Sequence, residues 1–471
     1  MNTQCGEGQL EFQGLGRRVV VGAFDGGTIS SDGGLLLLRE LDARLDICAR
    51  VAGCFTDLRR QDAVEHAVVT LVRQRVLGLA AGYEDLNDHD ALSRDPLWAA
   101  AVGAPDVEGK MRARKRDAGR PLAGKSTLNR LELTPEKAKA DARYHKVTHD
   151  ADAMEALLVT LFIEAHDAPP GEIVLDFDAT DFVLHGHQEG RFFHGYYDAY
   201  CYLPLYVTCG DHVLAAKLRT SDRDAADGAP ELLRTLVARI RAAWPTTRII
   251  VRGDSGFARE ELFTTCEDNG LYYLTGLAKN TRLLQRIGKE LVQAKELHDK
   301  TKEAARVFAH FHYQTHKSWC RPRRVIAKAE HLNKGSNPRF IVTNLPEDYA
   351  TPKDLYEKHY CARGEMENRI KEQQLDLFAS RTSAATLRAN QLRLHFATFA
   401  YTLMNALRRT ALKGTKLARA TATTLRLALI KIGARVETSV RRIRLAFSSA
   451  CPHKDLFTHA YNAVRQIPQR C

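Results

Sequence analysis

The stretch Ile173–Asp181 (IVLDFDATD) constrains this chain more than any other. Ile173, Val174, Leu175 and Phe177 carry the β-branched and aromatic bias of a buried strand. Side chains alternate across a strand, so Asp176, Asp178 and Thr180 share one face while Leu175, Phe177 and Ala179 share the other. Two carboxylates on one face of a core strand repel each other and resist burial, so a neutral core offers them no home. A divalent cation would supply the missing positive charge. The plainer account is a strand running into a turn, with an Asp capping the next segment, and for a lone Asp it is the better one. Here it competes with two further acidic sites downstream.

The chain has 471 residues, enough for several domains with real cores. Its hydrophobic fraction of 44% and charged fraction of 27% are ordinary for a soluble globular protein. No run approaches the roughly 18 uncharged apolar residues of a membrane span. The opening MNTQCGEGQLEFQG lacks the basic and apolar regions of a signal peptide. A cytoplasmic location without membrane contact is expected. The ten cysteines are scattered and form no C-x-x-C pair, which argues against a structural zinc site. Cys201 and Cys209, in apolar runs, read as small buried hydrophobes.

The net charge of +12 is unevenly placed. From Ala379 to Cys471 there are 17 Lys and Arg against only Glu437 and Asp455, a net of +15, which leaves −3 for residues 1–378. A second basic island, Lys110–Lys125, holds seven cations and only Asp117. Charge localised in this way points to a polyanion, most economically nucleic acid. A solvated helical face would mix both signs, and the tail hardly does.

Residues 17–24 look like a strand, and LLLLRELDARL, Asp62–Leu79 and Asp152–Ala165 have helical spacing. Ala168-Pro169-Pro170-Gly171 marks a boundary. Beyond it the period becomes β: IVLDFDATD, Tyr202–Cys209 and His212–Leu218 read as successive strands. Pro230–Ala243 is an amphipathic helix with Pro at its start. Arg248–Val251 is the next strand and delivers Asp254 at its carboxyl end, followed by a short helix and the strand Leu271–Leu277. That order matches a ribonuclease-H-like core, a mixed sheet whose acidic site draws on a central strand, its neighbour and a later helix. Ala305–Thr315, Arg323–Ala329 and Phe340–Asn344 read as further strands. Helices are expected over Ala384–Arg409 and 415–434, and Arg435–Phe447 looks like a strand displaying Arg441, Arg442 and Arg444.

The expected fold class is therefore α/β. Residues 1–165 would be a mainly helical DNA-binding region, and 166–278 the first part of the core. A β-rich insertion would occupy 279–350, the second part of the core 351–412, and a basic region 413–471.

The third acidic site lies in Tyr360–Phe378 (YCARGEMENRIKEQQLDLF). Tyr360, Arg363, Glu367, Lys371 and Gln374 fall at intervals of three or four and line one helical face. In isolation this would read as an ion-paired, solvated helix. Two facts favour a site: the helix follows a β-rich excursion of the size of an insertion, and Tyr-x2-Arg-x3-Glu is a specific pattern.

On these residues the chain resembles the DDE transposases of bacterial insertion sequences. Those of the insertion sequence 4 type carry Tyr-x2-Arg-x3-Glu-x6-Lys on the helix that bears the catalytic Glu. Tyr360, Arg363 and Glu367 match, while Gln374 stands at the final position. Lys371, one turn earlier, is then a candidate for the phosphate contact. The family's first Asp lies in a D-x-T turn, which Asp178-Ala179-Thr180 matches, and its second ends the fourth core strand, where Asp254 stands. DFDATDFVLHGHQEG, HGYYDAYCYLPLYV, VRGDSGF and ENRIKE resemble blocks of the insertion sequence 1380 family in order, over most of the chain.

The resemblance implies a transposase that binds terminal inverted repeats and cuts and joins DNA by a two-metal mechanism. Mg²⁺, with Mn²⁺ as a possible substitute, would be held by Asp178, Asp254 and Glu367, which are also the catalytic residues. Such ions lie about 3.5–4 Å apart and prefer hard oxygen ligands. Arg363 and Lys371 would hold phosphate, and Tyr360 would pack or hydrogen-bond beside them. Related transposases stack an insertion-domain Trp on a flipped base, a role open to Trp319, although a half-buried surface aromatic is the blander account. His185, His187 and His194 show no ligand spacing and read as loop residues.

The partners implied are double-stranded DNA, as transposon ends and target, and a second copy of the chain in a synaptic complex at the nucleoid. Two alternatives remain open on sequence alone: a ribonuclease-H-like, structure-specific nuclease, and a non-catalytic DNA-binding relative.

Overall fold

The computed structural model describes residues 8–469 apart from 138, 140 and 145, so Cys5 and Cys471 lie outside the described residues. The chain divides into two compact units. The larger comprises Gly53–Leu58 and Glu132–Asn405. The smaller comprises Arg59–Leu131, the chain from Ala406 onward and the chain up to Ala52.

The larger unit is built on one mixed sheet. Its strands, in chain order, are β1 (Glu172–Ala179), β2 (Leu205–Cys209), β3 (His212–Lys217), β4 (Arg248–Gly253), β5 (Tyr272–Leu277), β6 (Ala305–Tyr313), β7 (Arg323–Leu332) and β8 (Arg339–Thr343). Their spatial order is β3-β2-β1-β4-β5-β8-β7-β6, with Gly335–Ser336 paired to β7. Strands β1, β4 and β5 run parallel, while β2 and β3 are antiparallel to their neighbours. The crossovers between the parallel strands need a helix to span them. Helix α1 (Ala229–Ala243) and helix α2 (Glu260–Asp268) supply it.

Burial on both faces explains the continuous apolar runs Ile173–Leu175 of β1 and Ile249–Val251 of β4. On one face Leu175, Phe177, Val207 and Val251 pack with Leu233, Ile240, Leu262 and Phe263 from α1 and α2. On the other, Ile250, Leu274, Ile326 and Ile341 pack with Leu355 and Tyr356. Asp176 and Asp178 emerge on this second face, as the alternation along β1 requires. Residues 279–350, expected to be a β-rich insertion, carry two helices and the strands β6–β8, which extend the same sheet through β8 beside β5.

In the smaller unit, Ile29–Ser30 pairs with Ala434–Ser439, which pairs in turn with Arg442–Phe447. The polar anchor is Asp32, which accepts from Lys431 Nζ at 2.7 Å, the Tyr83 hydroxyl at 2.7 Å and Trp98 Nε1 at 2.9 Å. Segments that sequence alone treats separately thus fold together.

Two local expectations are corrected here. Arg435–Phe447 is a hairpin turning at Val440-Arg441, so Arg441 lies in the turn and not on a strand. The expected helix over 415–434 is confined to Ala422–Ile430, because Thr421 starts it afresh by accepting from Thr424 N–H. The eight described cysteines are free thiols, with Cys201 buried and Cys209 partly so. Among the described residues no helix is long and apolar enough to cross a membrane.

Candidate active site

The acids of the site arrive from three elements of the larger unit. Asp178 is the last but one residue of β1 and stands opposite Tyr206 of β2. Asp254 is the first residue after β4. The parallel register pairs Gly253 with Phe177, so one further step sets Asp254 beside Asp178. Its carboxylate accepts from Gly256 N–H at 2.8 Å, turning the chain away from the sheet into a short helical turn. Glu367 comes from helix α3 (Gly364–Lys371).

Helix α3 belongs to a longer helical run with uneven pitch. Wide π turns at Leu355–Tyr360 and Glu372–Asp376 flank its regular turns. Such widened turns recur at functional sites. Across the regular part Arg363 and Glu367 are ion-paired at 2.9 Å, and the same guanidinium reaches Asp178 at 3.9 Å. The salt bridge that a solvated helix would make is therefore present, but its cation also faces the acid on β1. Arg363 is the hinge of the cluster.

Electrostatics report the same convergence. Burial pushes the Asp178 carboxyl up, Arg363 opposes that, and Asp254 and Glu367 add repulsion, with the result at about 7. Its side chain is only 17% exposed. For Arg363, burial works against the charge, but Asp178 and its acidic neighbours outweigh it and raise the pKa. Tyr360 completes the corner. Its hydroxyl sits where a Cβ on Gly276 of β5 would come within 2.6 Å, so only glycine leaves room for it beside Asp254.

The remaining candidates fall differently. Gln374 donates to the Thr180 hydroxyl at 3.3 Å, which ties the helical run to the D-x-T turn. Lys371 is exposed and, among the described residues, has no ion-pair partner. Trp319 does not join the acids. It is 5% exposed and packs edge-on against Phe263 and Tyr313, with Arg323 over its ring. His185 and His187 lie exposed in the loop that follows β1.

Sequence reasoning missed the support beneath the site. Asp176, two residues before Asp178, is buried and bridged by Arg252 of β4, whose Nε and Nη2 donate to its two oxygens at 2.5 and 2.8 Å. The third guanidinium nitrogen donates to the His359 carbonyl, at the start of the Tyr360–Glu367 segment. Burial, outweighing Arg252, leaves the Asp176 carboxyl above its ordinary range. Asp176 is thus a buried tether, distinct from its neighbour at the open corner.

A family model described as Transposase DDE domain group 1 matches residues 12–469. The chain belongs to the DDE transposases. No curated protein matches it in sequence. Among solved structures, it is similar to a piggyBac transposase in a synaptic complex with hairpin DNA. That likeness has 11% identity, covers 94% of this chain and 86% of the other, and has a TM-score of 0.40.

A divalent metal can be tested against the acids of this transposase on its own geometry. Among the described residues no group of three or more His, Cys, Asp or Glu side chains is gathered closely enough to hold a metal ion. The donor chemistry nevertheless fits. Asp178, Asp254 and Glu367 are hard oxygen donors, and burial, reinforced by repulsion from Asp254 and Glu367, holds the Asp178 carboxyl up at about 7 despite Arg363, a cost that a bound cation would offset.

Proposed function

We propose that this chain is the transposase of an insertion sequence of the 1380 type, built on a ribonuclease-H-like core. It binds the terminal inverted repeats of its element and catalyses strand cleavage and transfer as a dimer on DNA. The observation that carries this reading is that Arg363 pairs with Glu367 and reaches Asp178, with Asp254 near enough to act on the Asp178 carboxyl, in a chain of the DDE family. The strand order β3-β2-β1-β4-β5, with β1, β4 and β5 parallel, supports the core assignment.

In this reading Asp178, Asp254 and Glu367 hold Mg²⁺, for which Mn²⁺ substitutes. Such ions supply the Lewis acidity that in-line displacement at phosphorus requires. Arg363 moves from Glu367 to a phosphate oxygen beside the scissile bond, where its planar fork gives a charge-assisted contact. Tyr360 fixes the base of that guanidinium. Lys371, exposed and one turn beyond Glu367, takes the phosphate contact of the family's Lys, since Gln374 is engaged by Thr180.

Incubating the chain with its element's end DNA and Mg²⁺ tests the reading. Cleavage at the ends supports it. Binding without cleavage would indicate a non-catalytic relative, and structure-specific cutting without end preference a stand-alone nuclease.

The Asp178 titration adds a pH-dependent prediction. Its folded pKa lies above the unfolded value, so between the ordinary carboxylate range and about 7 the native state holds the extra proton. Stability then falls as pH rises through that window. In chelator, Tm should decline from pH 5 to 8, and the decline should shrink in Asp178→Asn. Mg²⁺ should raise Tm at pH 8 and do little at pH 5. A Tm indifferent to Mg²⁺ at pH 8 would count against metal binding at these acids.

A further inference from the structure

Immediately after the D-x-T turn the chain makes a small ribbon of aromatic residues. Its strands are Phe182–Val183, Phe192–His194 and Ala199–Tyr202, with the last in the middle. Phe193 pairs with Tyr200 across the ladder, and their rings meet edge-on at 5.6 Å. The Arg191 guanidinium lies over the Tyr200 ring at 4.4 Å. At the tip stand Tyr196 and Tyr197, with Asp198 in the left-handed region at φ 51°. Tyr196 is 85% exposed, Phe193 54% and Tyr200 44%. Contiguous exposed rings are costly in water and mark a contact surface.

This surface is held rigidly and close to the acids. The Thr180 amide, two residues beyond Asp178, donates to Pro204 O, and Phe182 then pairs with Tyr202. Asp178 and Asp181 lie close enough to Tyr197 to add to the effect of burial on its phenol, which stands at about 12. The other end is tied to the segment that follows the Glu367 helix. Gln188 Nε2 donates to Thr382 O at 3.0 Å, Glu189 N–H to Ala385 O at 2.8 Å, and Leu387 N–H to the Glu189 carboxylate at 3.0 Å. Ser221 donates to the Phe192 carbonyl at 3.0 Å and fixes the outer strand. The rings are therefore preorganised, with one end of their support continuous with the strand that carries Asp178 and the other tied to the segment downstream of the Glu367 helix.

We propose that this ribbon stacks an unpaired base of the DNA strand held at the acidic site, with Phe193, Tyr200 and Tyr196 offering ring faces and Arg191 a cation beside them. The proposal rests on the transposase reading for the identity of the polymer. Bases inside a duplex have no free faces, so only an unpaired nucleotide meets the rings; stacking of this kind is tolerant of sequence. The combination of ring faces and a guanidinium is the recurring chemistry for single strands. Trp319, buried among Phe263 and Tyr313, does not offer such a face.

The test uses the full chain and a fluorescent oligothymidylate of about twelve nucleotides, compared at fixed salt with the same strand in duplex. Phe193→Ala and Tyr200→Ala should each weaken single-strand binding by about five- to a hundredfold while duplex affinity holds. Tyr200→Phe should retain it, and melting curves confirm that the variants fold. Unchanged single-strand affinity in both alanine variants overturns the proposal, as does an equal loss on single strand and duplex. If the chain cleaves no end DNA yet the alanine variants lose the single strand selectively, the platform stands and the transposase reading falls. If end cleavage is intact and depends on Asp178 while single-strand binding ignores the rings, the platform alone falls.

Discussion

Asp178→Asn, Asp254→Asn and Glu367→Gln should each lower Mg²⁺-dependent cleavage of end DNA by more than about a thousandfold, while end binding in a gel shift stays within a few-fold of the parent. The magnitude follows because, on the proposed reading, each change would remove a charged oxygen ligand, and with it several kcal/mol of charge stabilisation. Binding survives because it comes from the cations, among them the seven in Lys110–Lys125. Each substitution is close to isosteric. Asn at 254 keeps the oxygen that accepts from Gly256 N–H, so the turn after β4 persists. Asn at 178 also removes the charge whose burial, with repulsion from Asp254 and Glu367, holds the carboxyl up at about 7, so this variant should melt higher than the parent at pH 8 without metal. Higher stability with lost activity is the signature of a functional, electrostatically strained group. Full cleavage by any of the three would remove that residue from the site.

Much of this was legible in the sequence because it is local. The alternation of IVLDFDATD placed Asp178 and Asp176 on one face, and the 3.6-residue period placed Arg363 one turn from Glu367. The end of β4 delivered Asp254 by the same logic. What was hidden is what depends on distant pairing. Arg252 reaches Asp176 across 76 residues, and no local pattern announces the partnership. Gln374 looks like a lost Lys until its amide is seen on Thr180. Trp319 is flanked by Lys317, Arg321 and Arg323 and so reads as a surface residue, yet Arg323 itself is buried by pairing with Glu260 and Glu267. The hairpin over 434–447 escaped notice because its turn, Val440-Arg441, has none of the Gly, Asn or Asp residues that mark tight turns.

Arg252→Ala should destabilise the fold by about 3–5 kcal/mol, read as a lower denaturation midpoint, because it strands the Asp176 carboxylate in a buried position. Apolar replacement of both partners, Asp176→Leu with Arg252→Met, should recover most of that loss, since a buried ion pair scarcely outperforms well-packed apolar side chains. Stability alone therefore does not explain the pair. Burial outweighs Arg252 in raising the Asp176 pKa, so the ion pair recovers only part of what desolvation costs. What the apolar pair cannot reproduce is the bond from Arg252 to the His359 carbonyl. That bond anchors the π turn that ends at Tyr360 and leads into the turns carrying Arg363 and Glu367, and a site loosened by about 1 Å can lose a hundredfold in rate. The double variant should accordingly fold with near-parental stability and cleave end DNA about a hundredfold more slowly, with DNA affinity unchanged. Parental cleavage by the double variant would reduce the tether to a packing feature. The pair would then have no part in aligning the Glu367 helix with the aspartates.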